Sequence, residues 1–262
     1  MQIIDQLGRV INLAEPPRRL VSLCPSETET LAALVAPDRI VGCTRYCKYP
    51  VDLVAGLTHV GGTKQLDIES ITDLSPDLII AVREENDRAQ VEQLAEQFPV
   101  LVLDPVDHTT TLQSIALIGE AVDEPARAKD LMTDIEMRLA SLKQASGQRA
   151  LYLIWRKPYM AAGSGTFIGT MLETIGLTNA GAGLSGRYPV LDDAAIEAAA
   201  PDIILASSEP FPFKDKHLAE LSERFPDCDI RLVDGEAFGW HGVRILHVSN
   251  GLDALVSKIT AI

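Results

Sequence analysis

The strongest constraint on this chain is a stretch that occurs twice. Residues 66–84, LDIESITDLSPDLIIAVRE, can be laid over residues 191–209, LDDAAIEAAAPDIILASSE. Pro76 then meets Pro201, Asp77 meets Asp202, Ala81 meets Ala206 and Glu84 meets Glu209. Each copy reads as a short helix, a Pro-Asp turn, an apolar run of buried-strand length and an acid just past its end. A further strand follows in each: VLVLD ending at Asp104, and IRLVD ending at Asp234. Upstream, RLVSLCPSETETLAALV and RALYLIWRKPYMAAGSGTFIGTMLETIG both read as strand, loop, helix. A repeat on this scale decides the fold before any single residue does.

Strands alternating with helices imply parallel sheets with helices outside. The expected class is therefore α/β, with two Rossmann-like lobes whose parallel sheets are joined by a long bridging α-helix. The expected division is an N-terminal α/β lobe over 1–107, a connecting segment with the bridging helix over 108–148, and a C-terminal α/β lobe over 149–262. Within the connector, Asp123-Glu124-Pro125 interrupts the helical pattern, and Pro125 suits the first turn of a new helix. That helix, roughly Pro125 to Ala145, would be about 30 Å long at 1.5 Å per residue.

In parallel α/β sheets, ligands sit beyond the carboxyl ends of the strands. If the halves face each other, one cleft is lined by the loops Cys24 to Glu27, Arg45 to Tyr49, Glu84 to Asn86, Trp155 to Tyr159, Glu209 to Lys214 and Phe238 to Arg244. Only 5% of the chain is aromatic, yet these loops hold both tryptophans, Trp155 and Trp240. Scarce aromatics set among mixed charge suit a large planar ligand with polar substituents. Arg156 and Lys157 would meet its carboxylates or amide oxygens, Arg156 in bidentate fashion, or stay solvated while Trp155 packs inward. Glu84 and Glu85 would touch the ligand or neutralise Arg45, Lys48, Arg156 or Lys157. His241, as a neutral imidazole, is a candidate axial metal ligand or an ordinary hydrogen-bonding residue. Cys47 is a candidate soft ligand or a buried small hydrophobe. The Ser164-Gly165-Thr166 turn opens a helix and either accepts an anion there or merely caps it.

The formal net charge of -14 argues against non-specific binding to nucleic acid or to an anionic membrane. Four cysteines without CxxC spacing favour a reduced compartment. The N-terminal stretch lacks a basic segment followed by an apolar run, and no run is of membrane-spanning length. A cytoplasmic protein is expected from this reading, or a periplasmic one if a signal has been trimmed.

The chain resembles the helical-backbone metal receptors, the class of ABC-transporter binding proteins for cobalamin, haem and iron-siderophores. The residues that carry the resemblance run from DQLGRVINLAEPPRRLVSL through VGCTRYCKYP and IESITDLSPDLIIA to VDGEAFGWHGVRIL. The cobalamin-binding pattern is the nearest. The resemblance implies two lobes, a bridging helix, a shallow cleft between them and binding without catalysis or a required cofactor. The implied ligand is a corrinoid, haem or ferric siderophore. By the same resemblance Tyr46 falls on a ring-packing tyrosine and Arg244 on a matching arginine. Two cleft tryptophans of the pattern fall on Thr63 and Tyr188, leaving Trp155 and Trp240 to rebuild the stacking surface; Tyr188 and Phe238 are further candidate ligand contacts. The exported members dock on an ABC permease through one glutamate per lobe. The first falls on Glu69, whereas the second falls on Ala194, beside Asp192 and Asp193. No nucleophile elbow, P-loop or dinucleotide fingerprint is present. The alternatives are a tetrapyrrole-processing enzyme such as a chelatase, with His241 and Glu84 or Glu85 handling metal and proton, and a sensor or interaction module on the same fold.

Overall fold

In a computed structural model of the protein, describing residues 1–260, the two copies fold alike and in register. The chain runs β1 (Gln2–Ile4), β2 (Val10–Asn12), β3 (Leu20–Ser22), α1 (Pro25–Leu34), β4 (Ile40–Cys43), α2 (Val51–Val54), β5 (Thr58–His59), α3 (Ile68–Asp73), β6 (Leu78–Val82), α4 (Arg88–Ala95), β7 (Val100–Leu103), α5 (His108–Ala121) and α6 (Pro125–Ala140). It continues through β8 (Arg149–Trp155), β9 (Tyr159–Ala161), α7 (Phe167–Thr174), β10 (Thr178–Asn179), β11 (Val190–Leu191), α8 (Asp193–Ala198), β12 (Ile203–Ser207), α9 (Asp215–Arg224), β13 (Asp229–Val233), α10 (Gly235–Gly239) and α11 (Arg244–Ile259).

Two compact units result. The first comprises Met1–Pro105, Thr109–Glu136 and Gly242–Arg244; the second comprises Val106–His108, Met137–His241 and the chain from Ile245. The first unit carries a five-stranded sheet in the order β5-β4-β3-β6-β7, parallel throughout. All five residues of β6 are buried, as a central parallel strand covered on both faces requires. Its core gathers Val21, Leu23, Ile71, Ile79 and Leu94. The short β1–β2 hairpin turns on Asp5, whose Oδ1 accepts from the backbone of Leu7 and Arg9 at 2.9 and 2.8 Å.

The second unit holds a sheet in the order β11-β9-β8-β12-β13. Its core centres on Leu151, Leu153, Ile196, Ile204 and Leu221. Here β8, β12 and β13 are parallel, β10 pairs with the start of β8, and β9 and β11 extend the edge antiparallel. The expected strand-loop-helix after Leu153 is thus corrected: the chain turns back at Arg156-Lys157-Pro158 and adds β9 before reaching α7. Lys157 takes a left-handed backbone, φ 63°, to make that reversal.

Local chemistry explains why the two copies match. Asp67 and Asp192 each cap a six-residue helix, accepting from Ser70 N at 3.0 Å and from Ala195 N at 2.8 Å. Ser75 and Ala200 then leave those helices at φ 45° and φ 46°. Asp77 Oδ2 accepts from Arg19 N at 2.9 Å, and Asp202 Oδ2 accepts from Arg149 N at 2.7 Å. The guanidinium groups of the same arginines donate to the freed helix-end carbonyls, Arg19 to Leu74 O and Arg149 to Ala199 O and Ala200 O. Each unit thereby fixes the start of its first central strand to the turn before its second.

The second connector helix ends earlier than expected. It stops at Ala140, giving about 24 Å rather than about 30 Å. Beyond it, Ala145 N donates to Ile175 O at 2.8 Å and Gly147 N donates to Gly176 O at 2.9 Å, so these donors are committed outside a helix.

Candidate ligand-binding site

The carboxyl ends of the strands carry the candidate residues in both units. In the first, β4 leads into a tight turn in which Cys47 N donates to Thr44 O at 3.0 Å. This turn presents Tyr46 outward, 49% exposed. The Arg45 guanidinium carbon lies 5.3 Å from the Tyr46 ring centroid. A Cβ on Gly62 would come within 3.0 Å of both Arg45 Nη2 and Tyr46 Cε2, so the two side chains lean against a bare glycine backbone. Asn86 ties the neighbouring loops together. Its amide donates to Leu23 O at 2.9 Å and to Thr63 O at 3.1 Å, while Oδ1 accepts from Val82 N at 2.8 Å. The aromatic face of Tyr46 therefore stands on a braced platform. Glu84 is half-buried and Glu85 exposed beside it.

Three candidates in this unit point elsewhere than a ligand. Cys47 is buried, with its sulfur 3.1 Å from Thr28 Oγ1 and 3.3 Å from Thr44 Oγ1. Arg244, 6% exposed, grips Glu29 with two hydrogen bonds of 2.9 and 2.8 Å. Its guanidinium carbon sits 3.7 Å from the Tyr49 ring centroid. Its bidentate fork is thus committed to a buried carboxylate. The third is Glu27, read as the end of a strand-end loop but buried in the first turn of α1.

Burial pushes the Glu27 carboxyl up to about 8, against a hydrogen bond from Cys24 that lowers it; Glu85 and Cys47 raise it further. The Cys24 thiol is pushed up as well, by burial first and then by Glu27 and Glu85. A carboxyl raised in the fold above its ordinary 4.5 stabilises the fold while protonated. That contribution is complete below about 4.5 and is lost as pH rises through about 8. The slope reaches at most about 1.4 kcal/mol per pH unit. We expect urea midpoints of the parent to fall relative to Glu27→Gln across this window. Equal pH profiles for the two proteins would refute the assignment.

In the second unit Trp155 is 41% exposed and packs edge-on against Phe211, with ring centroids 5.7 Å apart. Phe211 in turn meets Phe213 at 4.9 Å and His217 at 5.3 Å. Sequence reading named the Glu209 to Lys214 loop but not Phe211 as the support of Trp155; the Phe-Pro-Phe spacing was the available signal. Trp240 is half-buried, its indole nitrogen donating to Glu209 Oε1 at 2.6 Å. Tyr188 is half-buried in the loop between β10 and β11. Phe238, expected to face the ligand, is 1% exposed and packs on Tyr152, centroids 5.0 Å apart: it belongs to the core. His241 is buried edge-on to Phe167 at 5.8 Å, and burial pushes its pKa down to about 3. A neutral imidazole is the form that ligates a metal.

Arg156 is paired with Glu220. With Lys157, Tyr159, Asp193 and Arg224 they line a pocket of about 540 Å³. Arg224 is paired with Asp193 and stacks over Tyr159 with 5.5 Å to the centroid. Ala194 is exposed on the same rim, and the flanking acids are occupied: Asp193 by Arg224, Asp192 as the cap of α8. Glu69 is exposed in the first turn of α3. Thr166 caps α7, accepting from Gly169 N at 3.1 Å, so the Ser164-Gly165-Thr166 turn has its capping role in hand.

The profile of the family described as periplasmic binding protein matches residues 20–224. A vitamin B12-binding protein of Photorhabdus laumondii is 31% identical over 134 residues, which is 51% of this chain and 48% of that protein. The match thus spans about half the length of that relative. An uncharacterized ABC transporter substrate-binding lipoprotein of Bacillus subtilis is 27% identical over 217 residues, 78% of this chain and 68% of the lipoprotein. Among solved structures, a periplasmic heme binding protein from Pseudomonas aeruginosa superposes with a TM-score of 0.78 at 23% identity, covering 94% of this chain and 93% of that one. The periplasmic vitamin B12 binding protein of Vibrio cholerae superposes at 0.75 with 21% identity, covering 93% and 98%. At these identities the structural likeness speaks for the fold: parallel-sheet α/β of this binding-protein class. The two solved structures are named as periplasmic proteins and the Bacillus relative as a lipoprotein, which leaves the expected cytoplasmic placement without support. Among the described residues no helix is long and apolar enough to cross a membrane.

Proposed function

The chain belongs to the periplasmic binding protein family, and from that premise we propose that it binds a planar metal chelate of the corrinoid or haem kind, or a ferric siderophore, without turning it over. The observation that carries this reading is the exposure of two aromatic side chains, Tyr46 and Trp155, each at the carboxyl end of a strand and each held from behind. Exposed aromatics braced by packing lose little entropy on binding and offer a flat apolar face to a ring. The neutral His241 suits an axial ligand, and Arg45 would take a peripheral carboxylate or amide. Relatives named for binding vitamin B12 favour the corrinoid member of this set. An ABC permease is the proposed partner, approached through Glu69, and the proposed working place lies outside the cytoplasmic membrane.

A thermal-shift and absorbance titration with cyanocobalamin, cobinamide, haem and a ferric hydroxamate tests the reading. A ligand that binds only the native state raises the melting temperature by mass action. We expect a saturable rise with one of the four. Folded protein that responds to none would overturn it.

A further inference from the structure

Trp155 rests on an aromatic shelf whose far side is a histidine. Phe211 donates its backbone N–H to Ile154 O at 3.3 Å, one residue before Trp155, and meets the Trp155 ring edge-on. Behind it, Phe211, Phe213 and His217 touch pairwise: the two phenylalanine centroids are 4.9 Å apart, and they lie 5.3 and 5.9 Å from the imidazole. Phe213 and His217 are both buried. His217 is also the third residue of α9, whose N-cap is Lys214. A lysine side chain has no acceptor to offer a helix N-terminus. The imidazole supplies one from the other side: its Nδ1 accepts from Lys214 N at 3.1 Å, the place a Glu or Gln takes in a capping box. Accepting there requires the neutral ring with its proton on Nε2. We propose that neutral His217 is a positioning residue for Trp155, and that its protonation opens the start of α9 and loosens the Phe211 shelf beneath the indole.

The surroundings of the ring set the direction of the effect. A protonated imidazole carries a donor on both nitrogens, so Nδ1–H would face the Lys214 N–H and an attraction would become a repulsion. The charged groups about the ring are Arg156 from the turn after β8, and Lys214, Lys216 and Glu220 from α9 and its cap. The one carboxylate among them, Glu220, is already paired with Arg156. Burial first, then Arg156 and Lys216, hold the His217 pKa below its ordinary 6.5. The ring is therefore uncharged at neutral pH and takes up its proton in acid. Because the unfolded chain protonates earlier, the stability contributed by the neutral ring is complete above about 6.5 and falls as pH drops below it. The consequence for binding rests on the proposed chelate reading: in acid the indole would lose its backing, and the ligand a stacking face.

Trp240→Phe leaves Trp155 as the sole tryptophan, so its emission can be followed alone. The titration runs from about pH 8 down to the onset of acid unfolding, which far-UV circular dichroism marks. We expect one red shift of the emission, with its midpoint below 6.5, while the protein is still folded. In Trp240→Phe/His217→Gln the glutamine carbonyl can accept from Lys214 N without titrating, and the shift should vanish. NMR of the His217 ring nitrogens in the parent should show the Nε2–H tautomer at neutral pH and a midpoint matching that of the emission, a check that needs no change at His217. Emission that stays constant until unfolding, a shift that survives His217→Gln, or a His217 ring protonated on Nδ1 at neutral pH would each overturn the proposal. None of these readouts uses a ligand. Their failure is thus distinct from failure of the chelate reading, which the titration with cyanocobalamin, cobinamide, haem and a ferric hydroxamate decides.

Discussion

Glu29→Ala destabilises the protein by about 3–5 kcal/mol, the usual cost of removing one partner of a buried ion pair. The side chains of Arg244 and Glu29 are 7% and 6% exposed, and the two hydrogen bonds between them join residues 215 positions apart in the chain. Alanine takes the bidentate carboxylate from a guanidinium buried over Tyr49, and removing one half of a buried charge pair is what makes the loss large. The double variant Glu29→Leu/Arg244→Met removes both charges together, and its cost should be much smaller, since buried pairs barely outweigh their own desolvation. Urea unfolding of the parent, the single and the double variants checks this. If Glu29→Ala shifts stability by less than about 1 kcal/mol, a scale usual for exposed sites, the pair is not the buried brace described.

The same pair shows where sequence reading runs out. Arg244 is legible as a cation in a loop, but its partner lies on α1, and no local pattern announces a contact of such separation. Phe238 was misplaced for a related reason: an aromatic in a strand-end loop looks exposed until Tyr152 from another strand is seen to cover it. Where repetition carries the expectation, the structure agrees with it. The helix, turn and strand of both copies form at matching positions because the Asp caps, the Pro-Asp turns and the apolar runs are local signals that agree with one another. The β9 edge was missed because three residues carry too little periodicity to mark a strand. The overlong second connector helix has a like cause, since what ends it early is pairing of Ala145 and Gly147 with residues after α7.

Trp155→Ala and Tyr46→Ala each weaken binding of the chelate by at least about tenfold, or about 1.4 kcal/mol, and this is the sharpest consequence of the proposed function. Aromatic anchors dominate binding energy when they sit on a rigid base and lose water on contact. Trp155 has such a base in Phe211, and Tyr46 has one in Arg45 and the bare backbone of Gly62. Because the two rings are 41% and 49% exposed, removing them costs the fold little, within about 1 kcal/mol. Binding and stability thus separate, which a residue that merely supports the core would not allow. Trp155→Phe retains an aromatic face of smaller area and should fall between alanine and the parent. Dissociation constants for the responding ligand, measured beside urea midpoints for each variant, decide the point. If both alanine variants bind as tightly as the parent, the ligand does not stack on these strand-end loops. A loss of binding that merely tracks a loss of stability would assign Tyr46 and Trp155 to the fold instead.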